Sequence, residues 1–217
     1  MKKALILVIA ALTLAAFATQ AGATVHNVGG SGTGGNTIPF WANSSYYPQM
    51  RFQTMWRQSE IAEAGAISNI EFQMYAGYTG AGGTFNGCKI LLCHTTATAI
   101  GATFATNYGG GTPVAVFDGT YVLGSNPGGT WVSIVKPTNF TFNNTNNLLF
   151  EVSWTSYTGG GTNYMYYSSG GPGRIYAASA TATTGTVEAN YWQKGRITVG
   201  YIGVAPTSLG RVKALYN

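Results

Sequence analysis

The sequence predicts an all-β protein: an antiparallel two-sheet sandwich, jelly-roll-like, with about nine or ten strands and one short helical turn. Three observations lead there. Short segments alternate apolar and polar residues at period 2, as in Leu148, Phe150, Val152 and Trp154 against Leu149, Glu151 and Ser153. Turn-forming clusters (SNPGGT, NNTNN, TGGGTN, SSGGPG) recur between these segments. No long helical pattern alternates with the strands, which excludes a parallel α/β sheet.

The densest pattern lies at 50–75, MRFQTMWRQSEIAEAGAISNIEFQMY. Met50, Phe52, Thr54 and Trp56 share one strand face, and Arg51, Gln53, Met55 and Arg57 the other. After it, SEIAEA makes one helical turn that Gly65 is expected to stop. In the next strand Ile70, Phe72 and Met74 oppose Glu71, Gln73 and Tyr75. Ahead of this unit, residues 1–23 read as a secretory signal: Lys2 and Lys3, an apolar run, then Ala21-Gly22-Ala23 as a small-residue cleavage site. Residues 24–37 read as a Gly-rich arm, 38–203 as the sandwich, and 204–217 as a tail. The arm contains a G-x-G-x-x-G match at 30–35, but Pro39 follows where a helix should open, so it reads as a low-complexity linker.

Beyond the unit, GYTGAGGTFNG is expected as a loop and CKILLCHT as an apolar strand. The stretch from Thr96 to Pro113 is expected as an irregular loop, either functional or poorly ordered. Val114, Val116 and Phe117 start a strand that Asp118-Gly119-Thr120 should end. Strands follow at Trp131–Val135, at 148–154, around Tyr164–Tyr167 and at 196–202, while Phe140 and Phe142 sit beside the NNTNN turn.

Charged residues are only 8% of the chain, and loss of Lys2 and Lys3 takes the net charge from +5 to +3. The basic residues are scattered singly, which excludes a nucleic-acid stripe. Aromatics at 13% supply too much apolar surface for a disordered chain. Cys88 and Cys93 bracket KILL. An oxidising compartment permits a disulfide, but extended residues five apart lie about 16 Å apart on opposite faces. Either a turn at Gly87 and Cys88 delays the strand, or both thiols are free, which the geometry favours.

Tyr46-Tyr47, Arg51-x-Gln53-x-x-Trp56, Glu60-Ile61 and Gly65-x-Ile67 occur in that order. They are followed by Lys89–Thr95, Phe117–Thr120, Trp131-x-x-Ile134, Phe140-x-Phe142 and Asn147–Val152. This order resembles a poorly characterised family of secreted bacterial β-sandwich accessory domains of cell-surface proteins. The resemblance spans about residues 38–200 and implies a sandwich placed outside the cell; it supplies no catalytic residues. The chain departs from the family in standing alone and in the placement of its cysteines. The tail, with Leu209, Arg211, Val212, Lys213, Leu215 and Tyr216, resembles short basic-aromatic sorting or attachment tails of exported bacterial proteins. A terminus docked on the sandwich is the alternative.

Catalysis needs a base beside a nucleophile, or two facing carboxylates. His94 adjoins Cys93, but neighbouring strand residues point to opposite faces, and G-x-S-x-G is absent. No catalytic residue, metal site or cofactor is expected: Asp118 has no acidic neighbour for calcium, and Cys88, Cys93, His94 and His26 lack zinc spacing. Aromatics in and beside turns are the remaining binding resource. Trp41, Tyr46, Tyr47, Tyr164, Tyr166 and Tyr167 are the candidate ligand-binding set, whereas Trp56, Trp131 and Trp154 read as core. The expected function is therefore a non-enzymatic secreted or cell-surface structural or adhesion module. The alternatives are a carbohydrate-binding module or a self-assembling filament or matrix subunit. Expected partners are an extracellular glycan or protein, or a second copy, with no nucleic acid and no membrane span after signal cleavage.

Overall fold

The computed structural model describes residues 22–42 and 45–200. The signal segment up to residue 21, residues 201–202 of the last expected strand, and the tail with its six sorting residues lie outside the described residues. The strands in chain order are β1 (Thr24–Val28), β2 (Gly34–Asn36), β3 (Met50–Trp56), β4 (Gly65–Gln73) and β5 (Gly83–Thr95). Then come β6 (Val114–Leu123), β7 (Trp131–Val135), β8 (Thr141–Phe142), β9 (Asn147–Trp154) and β10 (Ser156–Thr158). The series ends with β11 (Met165–Ser169), β12 (Arg174–Ala177), β13 (Thr186–Glu188), β14 (Tyr191–Gln193) and β15 (Gly195–Gly200). One short helix, α1 (Gln58–Ile61), follows β3.

All strand pairings are antiparallel, and they build two large sheets and a small one. The first sheet runs β1-β15-β4-β7, with β8 also on β4; the second runs β10-β5-β9-β3-β12-β13, with β6 on the free side of β5. The small sheet is β14-β11-β2. Ile67, Ile70, Phe72, Ile197 and Val199 of the first sheet meet Phe52, Trp56, Ile90, Leu92, Phe150 and Val152 of the second in one core. Trp56, Phe72 and Phe150 join the sheets through ring contacts of 5.2–6.2 Å, tilted or edge-on as ring quadrupoles favour. The all-β sandwich that the alternation predicts is the fold observed.

The expected faces of β4 hold: Ile70, Phe72 and Met74 are buried, while Glu71, Gln73 and Tyr75 are half-exposed. Those of β3 hold as well, with Met50, Phe52 and Trp56 in the core between the sheets and Met55 on the opposite side. That second face is not open to solvent: Gln53 and Met55 are fully buried and only Arg57 is exposed. The reason lies in the stretch after β5. Ile100 and Phe104 pack on Met55, Cys93, Leu149 and Ile175, making a second apolar cluster on the outer face of the second sheet. The stretch expected to be a functional or poorly ordered loop is thus a folded cover. Main-chain bonds from Ile100 to Pro172, Phe104 to Thr183 and Gly185 to Ala102 fix it, and a 3-10 turn (Ala105–Tyr108) seats it.

Other expectations shift for local reasons. The described residues form fifteen strands rather than nine or ten, because β2, β8, β10, β13 and β14 are only two or three residues long and show no periodicity. Asp118-Gly119-Thr120 does not end a strand; β6 runs through it, paired Lys89↔Asp118 and Cys88↔Gly119 beside a register shift. The second half of the expected GYTGAGGTFNG loop is the start of β5. α1 ends at Ala62, which takes the left-handed conformation (φ 50°) and donates to Gln58 O, so Gly65 is free to open β4. Trp131 is not core: it is half-buried on the outer face of the first sheet.

The arm is not a loose linker either. β1 pairs with β15 and β2 with β11, and between them Gly32 N donates to Ser168 Oγ at 2.8 Å and Thr33 N to Tyr167 O at 2.7 Å. Gly29 shows why glycine is needed: its φ is +78°, and a Cβ there would stand 2.0 Å from Gln193 O. The cysteines follow the geometric expectation. Both are free and buried, Cys88 in the core between the sheets and Cys93 in the outer cluster.

Candidate functional site

The six candidate aromatics divide into three places. Tyr164 and Tyr166 belong to a row on the outside of the first and small sheets. Tyr164 stacks on Tyr78 at 4.4 Å, Tyr78 on Tyr75 at 6.0 Å, and Tyr75 meets Tyr166 edge-on at 5.0 Å. Lys194 Nζ then lies 5.0 Å from the Tyr166 ring and 5.7 Å from Trp131, and the Arg196 guanidinium 4.7 Å from Trp131. Trp41, Tyr46 and Tyr47 form a second group: Tyr46 stacks on Trp41 at 5.4 Å and 13°, Trp41 leans on Tyr47, and Tyr47 meets Tyr176 edge-on. Tyr167 stands apart, between Tyr191 at 4.9 Å and the buried Arg174 guanidinium at 4.8 Å.

Sugar recognition by stacking needs ring faces open to solvent. In the first row the tyrosines face one another and both cations lie over Trp131, so the rings satisfy each other rather than present a flat platform. Tyr46 is different. It is 66% exposed, and with one face on Trp41 its other face is open. Proximity to turns does not pick out the row, because Trp131 sits on β7 and Tyr75 just past the end of β4. The outward position of Tyr75 beside Glu71 and Gln73 was the available signal.

The polar side chains of the central unit are resolved into a buried network. Glu151, on the middle strand β9, is 4% exposed. It accepts from Arg51 Nε at 2.9 Å, from Arg51 Nη2 at 3.2 Å, from Tyr108 Oη at 2.7 Å and from the Gln53 amide. Gln53 Oε1 in turn accepts from Asn107 at 2.9 Å, and Asn107 Oδ1 accepts from Gly101 N. The network therefore joins the sheet to its cover. Burial pushes the Tyr108 hydroxyl well above its ordinary range, and its bond to the Glu151 carboxylate adds to the shift. Arg51 pairs with Glu151, and not with Glu60 of the same unit. Glu60 accepts from Gly29 N at 2.8 Å and from Arg57 N at 3.1 Å, the second being the returning half of a capping box.

The other chemistry-bearing groups are similarly engaged. Glu71 takes Arg196 on both oxygens, at 2.7 and 2.9 Å. Arg174 Nε donates to Glu188, Lys89 pairs with Asp118 at 3.0 Å, and His26 bonds Glu63 at 2.9 Å. His94 packs on Phe140 at 4.8 Å, and its Nε2 accepts from Asn143 N at 3.2 Å. Burial lowers its pKa, and a backbone hydrogen bond at Thr141 opposes the shift. Cys93 Sγ donates instead to the His94 carbonyl, and burial pushes the thiol up to about 11; Cys88 is pushed up to about 12. Thiols held protonated in this way are weak nucleophiles. Among the described residues, no group of three or more His, Cys, Asp and Glu side chains converges to hold a metal ion. The four zinc candidates are dispersed, with the two cysteines in different clusters and His26 on β1.

In comparison with known proteins, the chain matches no family model, no curated protein and no solved structure.

Removing Glu151 takes the acceptor from four hydrogen bonds, donated by three side chains, in a buried site. Glu151→Ala should cost about 3–5 kcal/mol in urea unfolding, as breaking a buried ion pair does. Glu151→Gln, which keeps an acceptor but loses the charge, should cost less. A Glu151→Ala loss below about 0.5 kcal/mol, the range of ordinary surface changes, would mean that the network does not hold the cover.

Proposed function

We propose that the chain is a non-enzymatic module exported to the cell surface or extracellular matrix, where it serves structure or adhesion. One observation carries this reading: each of the six acidic side chains in the sequence is bound to a named structural partner. Both histidines are likewise engaged, and both thiols are buried and held protonated. The residue types that run acid–base and nucleophilic chemistry are used here to brace loops and sheets. Low charge fits a surface wetted through hydroxyls and amides, and the signal-like segment and the motif order resembling secreted accessory domains support export. Fractionation tests the reading: the full chain should be found with the cell surface, and a chain lacking residues 208–217 should be released to the medium. Retention of both forms in the cytoplasm would overturn export, and equal surface retention would remove the tail from the account.

A carbohydrate-binding role is the second reading, favoured by the open outer face of Tyr46 on Trp41. If it holds, binding to a polysaccharide array should fall at least tenfold in Tyr46→Ala and Trp41→Ala, and hardly change in Tyr164→Ala. An array with no bound polysaccharide counts against it.

A further inference from the structure

We propose that β1 is exchanged between copies of this chain, the strand of one molecule pairing with β15 of another in the register it uses at home. That register runs from Thr24↔Val199 to Val28↔Gly195. The inference goes beyond the structural-module reading and does not depend on it.

Four observations converge. β1 gives little to the core: of its five residues only Val28 is buried, and Val25 is 51% exposed. Its departure takes only Val28 from the core and otherwise gives up the β15 ladder, the His26–Glu63 bond and the Gly29–Glu60 bond. Departure would bare the β15 edge, whose unpaired N–H and C=O groups are a template for any strand of matching register. The strand that matches is β1 of another copy.

The connection permits it. Residues 29–33, GGSGT, join β1 to β2, and β2 is held separately on β11 through Met165↔Asn36, Tyr166↔Gly35 and Tyr167↔Gly34. Five residues reach about 17 Å when extended. Gly29, Gly30 and Gly32 all have positive φ, and glycine at these positions lets the hinge take other directions once the bonds from Gly32 N to Ser168 Oγ and from Lys194 Nζ to Ser31 O are released.

Folding order favours it as well. Val28 and Gly195 are 167 positions apart and Thr24 and Val199 are 175 apart, the largest separations of any strand pair among the described residues. Such pairs close late, because the intervening chain must be ordered before they form. While β15 waits, a neighbour's β1 competes on equal terms for the same ladder. Exchange from head to tail is heterologous, and it yields rings where the rotation closes and chains of molecules where it does not.

The test uses cross-strand partners. Val25 and Thr198 are paired, and antiparallel partners have Cα atoms about 4.5–5.5 Å apart, within disulfide reach. Val25→Cys and Thr198→Cys proteins are unfolded, mixed, refolded together under a mild oxidant, and analysed for the linked peptide pair by mass spectrometry. The same proteins mixed after separate folding are the reference. The expected result is a Val25→Cys/Thr198→Cys cross-link at least tenfold more abundant after joint refolding. The unmodified chain, refolded at rising concentration, should give multimers by light scattering. Cross-linked pairs no more abundant than in the reference, with the unmodified chain monomeric throughout, overturn the proposal. That outcome leaves the export and tail experiments, and the reading they test, untouched.

Discussion

A sheet that is apolar on both faces has to be covered twice. The second sheet places Phe52, Trp56, Phe150 and Val152 on one side of β3 and β9 and Met55 and Leu149 on the other. The first sheet covers one side. The stretch from Thr96 to Gly111 and the segment around Ala182 cover the other, and the rest of the architecture follows from that need. Burying the outer face also buries the polar residues interleaved with its apolar ones, and a buried carboxylate is tolerated only when it is paired and hydrogen-bonded. Glu151 is accordingly surrounded by Arg51, Gln53 and Tyr108, while Arg51 Nη1 reaches across to Ala182 O at 2.8 Å. The polar network and the cover make each other possible.

The same economy explains the exterior. With few charges, the chain fixes its loops by other means. Gly82 N, Gly82 O and Phe40 O are gathered by the amide of one buried residue, Asn163. Trp56 and Trp154 donate their indole N–H groups to Gln193 O and Pro39 O, pinning β14 and the segment before β3. Lys194 lies over two rings and donates to Ser31 O, so its ammonium ties the arm to the body. Aromatic rings outside the core act largely as braces, with Tyr46 the clearest exception.

Much of the fold was legible because period 2 is a local signal. The inward residues of β3, β4 and β9 could be read from spacing alone, as could the opposite placement of Cys88 and Cys93. What was not legible is what depends on partners far away in sequence. Nothing near Gln53 or Met55 shows that Phe104, about fifty positions on, will close over them. Trp131 reads as core because it alternates with Val132; only the cations of Lys194, between β14 and β15, and Arg196, on β15, mark its face as the outer one. The arm looked flexible because glycine marks both disorder and close packing, and only the approach to Gln193 O decides between them. The candidate site suffered most. Its six aromatics were chosen for nearness to turns, and the fold distributes them over three places.

Amide hydrogen exchange tests the central claim, that the stretch after β5 is a structural cover rather than a working loop. The account predicts that the amides of Ile100, Phe104 and Gly109, each bonded to a main-chain carbonyl, exchange slowly. Their protection should approach that of β3 and β9 and fall sharply in Glu151→Ala. Exchange of these amides as fast as in the exposed turn at 125–130, with β3 and β9 still protected, would contradict it.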